Sequence, residues 1–160
     1  MTTFKIISGG QTGVDRAALD VALKLKILHG GWCPKDRLAE LGEIIPKKYL
    51  LQETNSREFS QRTKLNVKDS DGTLILVTNA SKITGGTRFT IDEAKFQHKP
   101  YLIVDLSNDV EINLVIQWIH ANHIKILNIA GPRESKNSGI YDVSFKLLEQ
   151  VFLAFLKKTN

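Results

Sequence analysis

"FKIISGGQTGVDRAALDVA", residues 4–22, runs from a short apolar stretch through a glycine-rich turn into a helical pattern. Lys5 to Ser8, preceded by Phe4, reads as a buried strand. Beyond the glycines, Val14, Ala17, Ala18, Val21, Ala22 and Leu25 recur at the spacing of one helix face, with Arg16, Asp20 and Lys24 on the others. The turn sets bare amides at a helix start, where the positive dipole end favours an anion. Three readings are open at this point: a dinucleotide turn, a nucleoside-processing site, or a cradle for another phosphate or oxyanion.

Three more strand-then-helix units follow. "GTLILVT" (residues 72–78) leads through a Gly-Gly-Thr turn into a helix ending about His98. "PYLIVDL" (100–106) precedes a helix from about Asp109 to Ala121, and "IKILNIA" (124–130) ends at Gly131-Pro132-Arg133 before a closing helix over about 138–158. Continuous apolar strands alternating with helices predict a mostly parallel sheet covered by helices on both faces. The expected fold is therefore one Rossmann-like, three-layer α/β domain spanning residues 1–160. Between the first two units, residues 29–49 read as irregular, with at most one helical turn around Leu38 to Leu41. A loop this long in a compact domain is more often functional than idle. "YLLQET" (49–54) is a candidate short strand, and Ser56 a candidate N-cap for a polar helix to about Val67. The closing helix carries Phe145, Leu147, Leu148, Val151, Phe152, Leu153, Phe155 and Leu156, apolar over more than one face. It is either a core helix wedged against the sheet or one that also builds a homodimer or higher homo-oligomer.

The bulk composition narrows the partners. At 160 residues, 42% hydrophobic and 24% charged, the chain is an ordinary globular domain rather than a disordered one. No run approaches the roughly 18 apolar residues of a membrane span, and the start leaves no room for a signal peptide. Cys33, the single cysteine, excludes a disulfide framework or a zinc cysteine cluster. Cytoplasmic residence is the expectation. The net charge is +5 and the pI about 9.3, yet the basic residues are scattered and no basic stripe interleaves with aromatics. A phosphate-bearing small molecule is the expected partner, not nucleic acid or a membrane.

In such a sheet, ligands sit beyond the carboxyl ends of the strands. The first turn offers Gly9, Gly10, Gln11, Thr12 and Gly13, with Asp15 and Arg16 at the helix start as ligand contacts or as charges near a dipole. Against G-x-G-x-x-G, Ser8 stands in the first glycine position. The acidic residue expected about 20 positions on is missing, where the chain reads Gly30-Gly31-Trp32. No Gly-Lys-Ser/Thr follows, so a P-loop fails as well. The second turn, Thr84-Gly85-Gly86-Thr87-Arg88, repeats the chemistry, with Arg88 available to pair with a phosphate. The third adds Gly131, Arg133, Ser135 and Lys136. Hydroxyls, amides and cations with few carboxylates form an anion-binding inventory.

Catalytic candidates are fewer. Arg62 and Asn66 lie one helical turn apart, beyond Arg57, and are spaced to face one ligand. Asp69, Ser70 and Asp71 precede a strand, at the end far from the turns. No carboxylate pair, histidine-centred triad or metal-ligand spacing stands out. Trp32 is either packing or a wall for a flat ring. His29 lies close by, and Cys33 is either a small buried hydrophobe or a thiol ligand.

"SGGQTGVDRAALD", "HGGWCPKDRLAE", "QRTKLNVKDSDGTLIL", "TGGT" and "AGPRESKNSGIY" together resemble the molybdenum carrier family (molybdenum cofactor carrier-like). That family lies in the broader Rossmann-like Lonely-guy/lysine-decarboxylase-like (SLOG) group. The resemblance runs from Phe4 to about Leu156. It implies a Rossmann-like fold and a role in binding molybdenum cofactor, and places the family's glycine turns on Gly9, Gly10, Thr12 and Gly13 and on Gly85, Gly86 and Thr87. The Lonely-guy phosphoribohydrolases carry a P-G-G-x-G-T turn followed closely by a glutamate. Here the turn is shorter and continues Arg88, Phe89, Thr90, which suits holding an anion better than hydrolysing a nucleotide. A carrier is the first expectation. A nucleotide-processing enzyme or a nucleotide-sensing module, holding a nucleotide or phosphate at the same turns, is the alternative.

Overall fold

The computed structural model describes residues 4–159. Strand β1 (Lys5–Ile7) enters the first glycine turn and helix α1 (Val14–Lys24) leaves it. As the 3.6-residue period requires, α1 buries Val14, Ala18, Val21 and Ala22 in the main core. The chain continues through β2 (Leu28–Gly30), β3 (Trp32–Cys33), β4 (Gln52–Glu53) and α2 (Phe59–Asp69) to β5 (Gly72–Val77). Then come α3 (Gly85–Phe96), β6 (Tyr101–Asp105), α4 (Ile112–Ala121), β7 (Ile126–Ala130) and α5 (Ile140–Thr159).

The five-stranded sheet has the order β2-β1-β7-β5-β6 with every pair parallel. Strand β5 is buried at every position. Its Leu74 and Leu76 join the core with residues of α1, α4 and α5, while Ile75 and Val77 pack with Ile91 of α3 on the other face. Two-sided burial is why it reads as an unbroken apolar run. The last strand, β7, inserts between β1 and β5, with Leu127 opposite Ile6 and Ile129 opposite Leu74. The turns after β1, β7 and β5 therefore stand side by side on one edge of the sheet. At the opposite edge Asp71 Oδ2 accepts from Lys125 N at 2.9 Å and Ile126 N at 2.7 Å, so this carboxylate pins β7 beside β5.

Helix α5 turns Leu147, Leu148, Val151, Phe152 and Phe155 into the main core, where Phe4 lies 4.7 Å from the Phe155 ring centre. Its large apolar residues left exposed are Val143 and Leu153. Among the described residues no helix is long and apolar enough to cross a membrane.

Two local expectations are corrected. Residues 29–49 contain an edge strand, β2, pairing with β1, and β3, which pairs in parallel with β4. Leu-His-Gly and Trp-Cys are too short to show a period of two, and the glycines read as a turn. Helix α2 begins at Phe59, because Ser56 Oγ accepts from Glu58 N at 3.0 Å and makes a separate turn ahead of it. The irregular remainder packs on α1's outer face, where Leu19, Cys33, Ala39, Ile45 and Tyr49 form a second, small core.

Candidate functional site

A cleft of about 650 Å³ opens at the carboxyl ends of β1, β7 and β5. Its walls come from Gln11 and Asp15 after β1, Thr78, Asn79 and Lys82 after β5, and Gly85 to Thr87 at the start of α3. Gly131, Arg133, Lys136 and Asn137 follow β7, and α2 adds Phe59, Arg62 and Thr63. The site is thus where the reversal of strand order places it in a doubly wound sheet.

The first glycine turn is filled by the protein itself. Asp15, 3% exposed, accepts from Gln11 N at 3.2 Å and from Arg62 Nη1 at 2.9 Å. A Cβ on Gly9 would fall 1.6 Å from that same Nη1, so the glycine makes room for the guanidinium. Burial pushes the Asp15 carboxyl above its ordinary range, with the Arg62 charge and hydrogen bond opposing. Gly13 adopts φ +80 and would set a Cβ 2.4 Å from Pro132 O. Only glycine lets the first turn press on the third in this way.

A buried glutamate fastens the two turns. Glu40, 6% exposed, accepts hydrogen bonds from Thr12 Oγ1 and Ser135 Oγ and, at 3.2 Å, from Ser135 N. Its own N donates to Gln11 Oε1 at 2.9 Å, and Arg133 Nε lies 3.9 Å from its carboxylate. Burial raises the Glu40 pKa, but these donors and the Arg133 charge outweigh it and hold the carboxyl below its ordinary range. Next to it, Glu134 accepts from Tyr141 N at 3.0 Å and Gly139 N at 2.5 Å, satisfying amides at the start of α5.

The second turn is open. A Cβ built on Gly85 or Gly86 meets nothing within 4 Å, and Thr84, at the N-cap position of α3, makes no side-chain cap bond. Around this helix start the cleft presents Lys82, Arg133, Lys136 and Arg62, while Asp15 is its single acidic lining residue among those described. The Phe59 ring lies against two of these cations, 5.2 Å from the Arg133 guanidinium and 5.9 Å from that of Arg62. Asn137 Nδ2 donates to Thr78 Oγ1, joining the third turn to the end of β5.

Of the residues singled out by sequence, the cleft gathers Gln11, Asp15, Arg62, Thr84, Gly85, Gly86, Thr87, Gly131, Arg133 and Lys136. Gly9, Gly10 and Gly13 lie behind the wall as packing positions, and Thr12 and Ser135 are engaged by Glu40. Arg16 donates to Gly10 O and pairs with Glu43. Trp32 is elsewhere, its Nε1 donating to Asp69 Oδ2 at 2.8 Å. Arg88 points to Asp92 at 3.3 Å on the exposed side of α3. His29 Nε2 accepts from Leu50 N, and burial lowers its pKa. Asn66 clamps the Trp32 backbone through both ends of its amide instead of facing a ligand with Arg62. Among the described residues no group of three or more His, Cys, Asp or Glu side chains is arranged to hold a metal ion.

Sequence reasoning passed over Thr78 and Asn79, although they directly follow a strand and so had a readable position. Phe59 and Lys82 carried no motif, and Glu40 lies in a segment without periodicity.

The circularly permutated YpsA SLOG family model matches residues 6–152. A solved structure of a "Putative molybdenum carrier protein" from Syntrophus aciditrophicus SB is 47% identical, with a TM-score of 0.86, covering 95% of this chain and 96% of that one. No curated protein matches. With the family model spanning almost its whole length, the chain belongs to the circularly permutated YpsA SLOG family.

Proposed function

We propose that the protein is a carrier that binds a small ligand through a phosphate or oxyanion, with molybdenum cofactor as its cargo. The observation that carries this reading is the contrast between the two glycine turns. The first is closed by Asp15 and Arg62, whereas Gly85 and Gly86 leave the α3 start open inside a cationic cleft. A phosphate seated there meets amides, the helix dipole and nearby cations together. The Phe59 ring offers a face for a flat heterocycle such as a pterin. The name given to the 47% identical neighbour, a molybdenum carrier protein, supports a molybdenum-bearing cargo.

The test is to identify what accompanies the protein from cells, by mass spectrometry of the released small molecules and elemental analysis for molybdenum. A phosphorylated pterin with molybdenum is the expected result. A purine nucleotide without either sinks the carrier reading and leaves a nucleotide-binding module at the same cleft.

A further inference from the structure

Gln11 carries a side-chain amide whose orientation is fixed. Its Oε1 accepts from Thr12 N at 3.0 Å and from Glu40 N at 2.9 Å. An amide oxygen serves two such donors and an NH₂ group serves neither, so the amide cannot be turned round. Nε2 is then a donor by necessity. It is buried without a hydrogen-bond partner, in a residue 5% exposed that forms part of the cleft wall. Arg62 Nε, on the same wall, is likewise buried and unpartnered. The two residues meet at one carboxylate, where the Gln11 backbone N and Arg62 Nη1 both donate to Asp15 Oδ2. Folded chains rarely leave buried donors unmatched, and two at one wall mark where an acceptor from outside the chain completes the set.

We propose that Gln11 Nε2, assisted by Arg62 Nε, is the specificity determinant of the cleft and donates to a neutral carbonyl oxygen on the ring of the bound ligand. This rests on the anion-binding reading above and adds the other end of the ligand. Asp15 decides for a neutral acceptor. Its buried carboxylate, held by the Gln11 backbone N and Arg62 Nη1, repels a second anion on this wall, so the phosphate belongs at the α3 start and the carbonyl here. The ligand class is a flat heterocycle with a ring carbonyl joined to a phosphate, as in guanine nucleotides and pterin phosphates.

Titration calorimetry on the full chain tests this with four probes. Guanosine 5′-monophosphate and 2-aminopurine riboside 5′-monophosphate differ in the ring oxygen and the N1–H that accompanies it. 6-Hydroxymethylpterin monophosphate supplies the carbonyl from the other source, and ribose 5-phosphate supplies the anion alone. Whichever carbonyl-bearing ring binds, Gln11→Glu should weaken it about tenfold more than it weakens ribose 5-phosphate, the excess being the worth of one hydrogen bond. That variant keeps an oxygen for Thr12 N and Glu40 N, removes the donor and adds a carboxyl group near Asp15. Arg62→Lys, which keeps a cation beside Asp15 and removes Nε–H, should act in the same direction. Should Gln11→Glu fail to fold, the guanine probe against its deoxo analogue reads the same preference in the unaltered protein. Full affinity in both variants, or equal binding of that pair where guanosine monophosphate binds, overturns the inference while phosphate binding stands. No binding of any probe overturns both.

Discussion

Arg62 Nη1 donates to Asp15 Oδ2 at 2.9 Å across the top of Gly9, so α2 reaches over β1's turn and neutralises the carboxylate at the first helix start from within. Removing one partner of such a buried pair strands the other charge, at a cost of about 3–5 kcal/mol. Arg62→Met should therefore lose stability of that order in urea at neutral pH, and Arg62→Met/Asp15→Asn should recover much of it. Asp15 already has its pKa raised by burial, and losing Arg62 raises it further. A carboxyl with a folded-state pKa above its unfolded one destabilises at high pH and is relieved as pH falls through the folded value. The single variant should thus gain stability relative to the parent on acidification from neutrality. A pH-independent difference would show that the carboxylate is not what the arginine compensates.

Glu40 should show the opposite sign. Its folded-state pKa is held down, despite burial, by the Ser135 and Thr12 hydroxyls, Ser135 N and Arg133. Its contribution is present above the ordinary glutamate pKa and is lost as pH falls through the lowered one. Glu40→Ala leaves buried donors without an acceptor and should cost about 1–3 kcal/mol. Hydrogen exchange provides the local reading: faster exchange in residues 35–45 and at the amide of Ser135, with the sheet unaffected. Uniform loosening of the sheet would contradict the assignment of Glu40 as a local fastener.

Cys33 is fully buried among Leu19, Ala39, Ile45 and Tyr49, and burial pushes its thiol pKa up. The thiolate is the reactive form, so labelling by a disulfide reagent should be slow in the native protein. It should accelerate with urea in step with opening of the second core. Fast native labelling would mean that residues 33–51 leave α1 far more readily than their packing indicates.

The main sheet was legible because β5, β6 and β7 carry continuous apolar runs, buried throughout in β5 and at the centre of β7, and α1 carries one face at 3.6-residue spacing. Strand β2 was not, since Leu28-His29-Gly30 gains its strand character from pairing with Ile6 rather than from any local preference. The site divided the same way. Gly85 and Gly9 look alike in sequence, and only tertiary contact shows that Arg62 fills the space above one and nothing fills the space above the other. Arg88 was drawn to the site by adjacency to Gly-Gly-Thr, but helical geometry carries it round to Asp92. Glu40 reaches Thr12 and Ser135 from a segment without a repeat, which no spacing rule could have matched to them.

Gly86 and Gly10 separate site from scaffold. Gly86 has open space where a side chain would go, whereas Gly10 adopts φ +76 and would set a Cβ 2.7 Å from Leu51 Cδ1 and 3.0 Å from Ile45 Cγ2. Gly86→Val should fold with a stability change within about 1 kcal/mol, because it asks only for a β-branched residue in the first turn of a helix. Its side chain would occupy the space an anion needs to approach the α3 amides, so affinity for ribose 5-phosphate should fall at least about tenfold. Gly10→Val should do the reverse: it overpacks the second core and strains the backbone, costing about 1–3 kcal/mol or more. Any loss of binding in it should disappear once the folded fraction is taken into account. Denaturation and calorimetry on the pair provide the check. If Gly86→Val binds ribose 5-phosphate as the parent does, the anion does not sit at the start of α3. If Gly10→Val is fully stable and fails to bind, the first turn touches the ligand directly, and the wall formed by Asp15 and Arg62 must open to admit it.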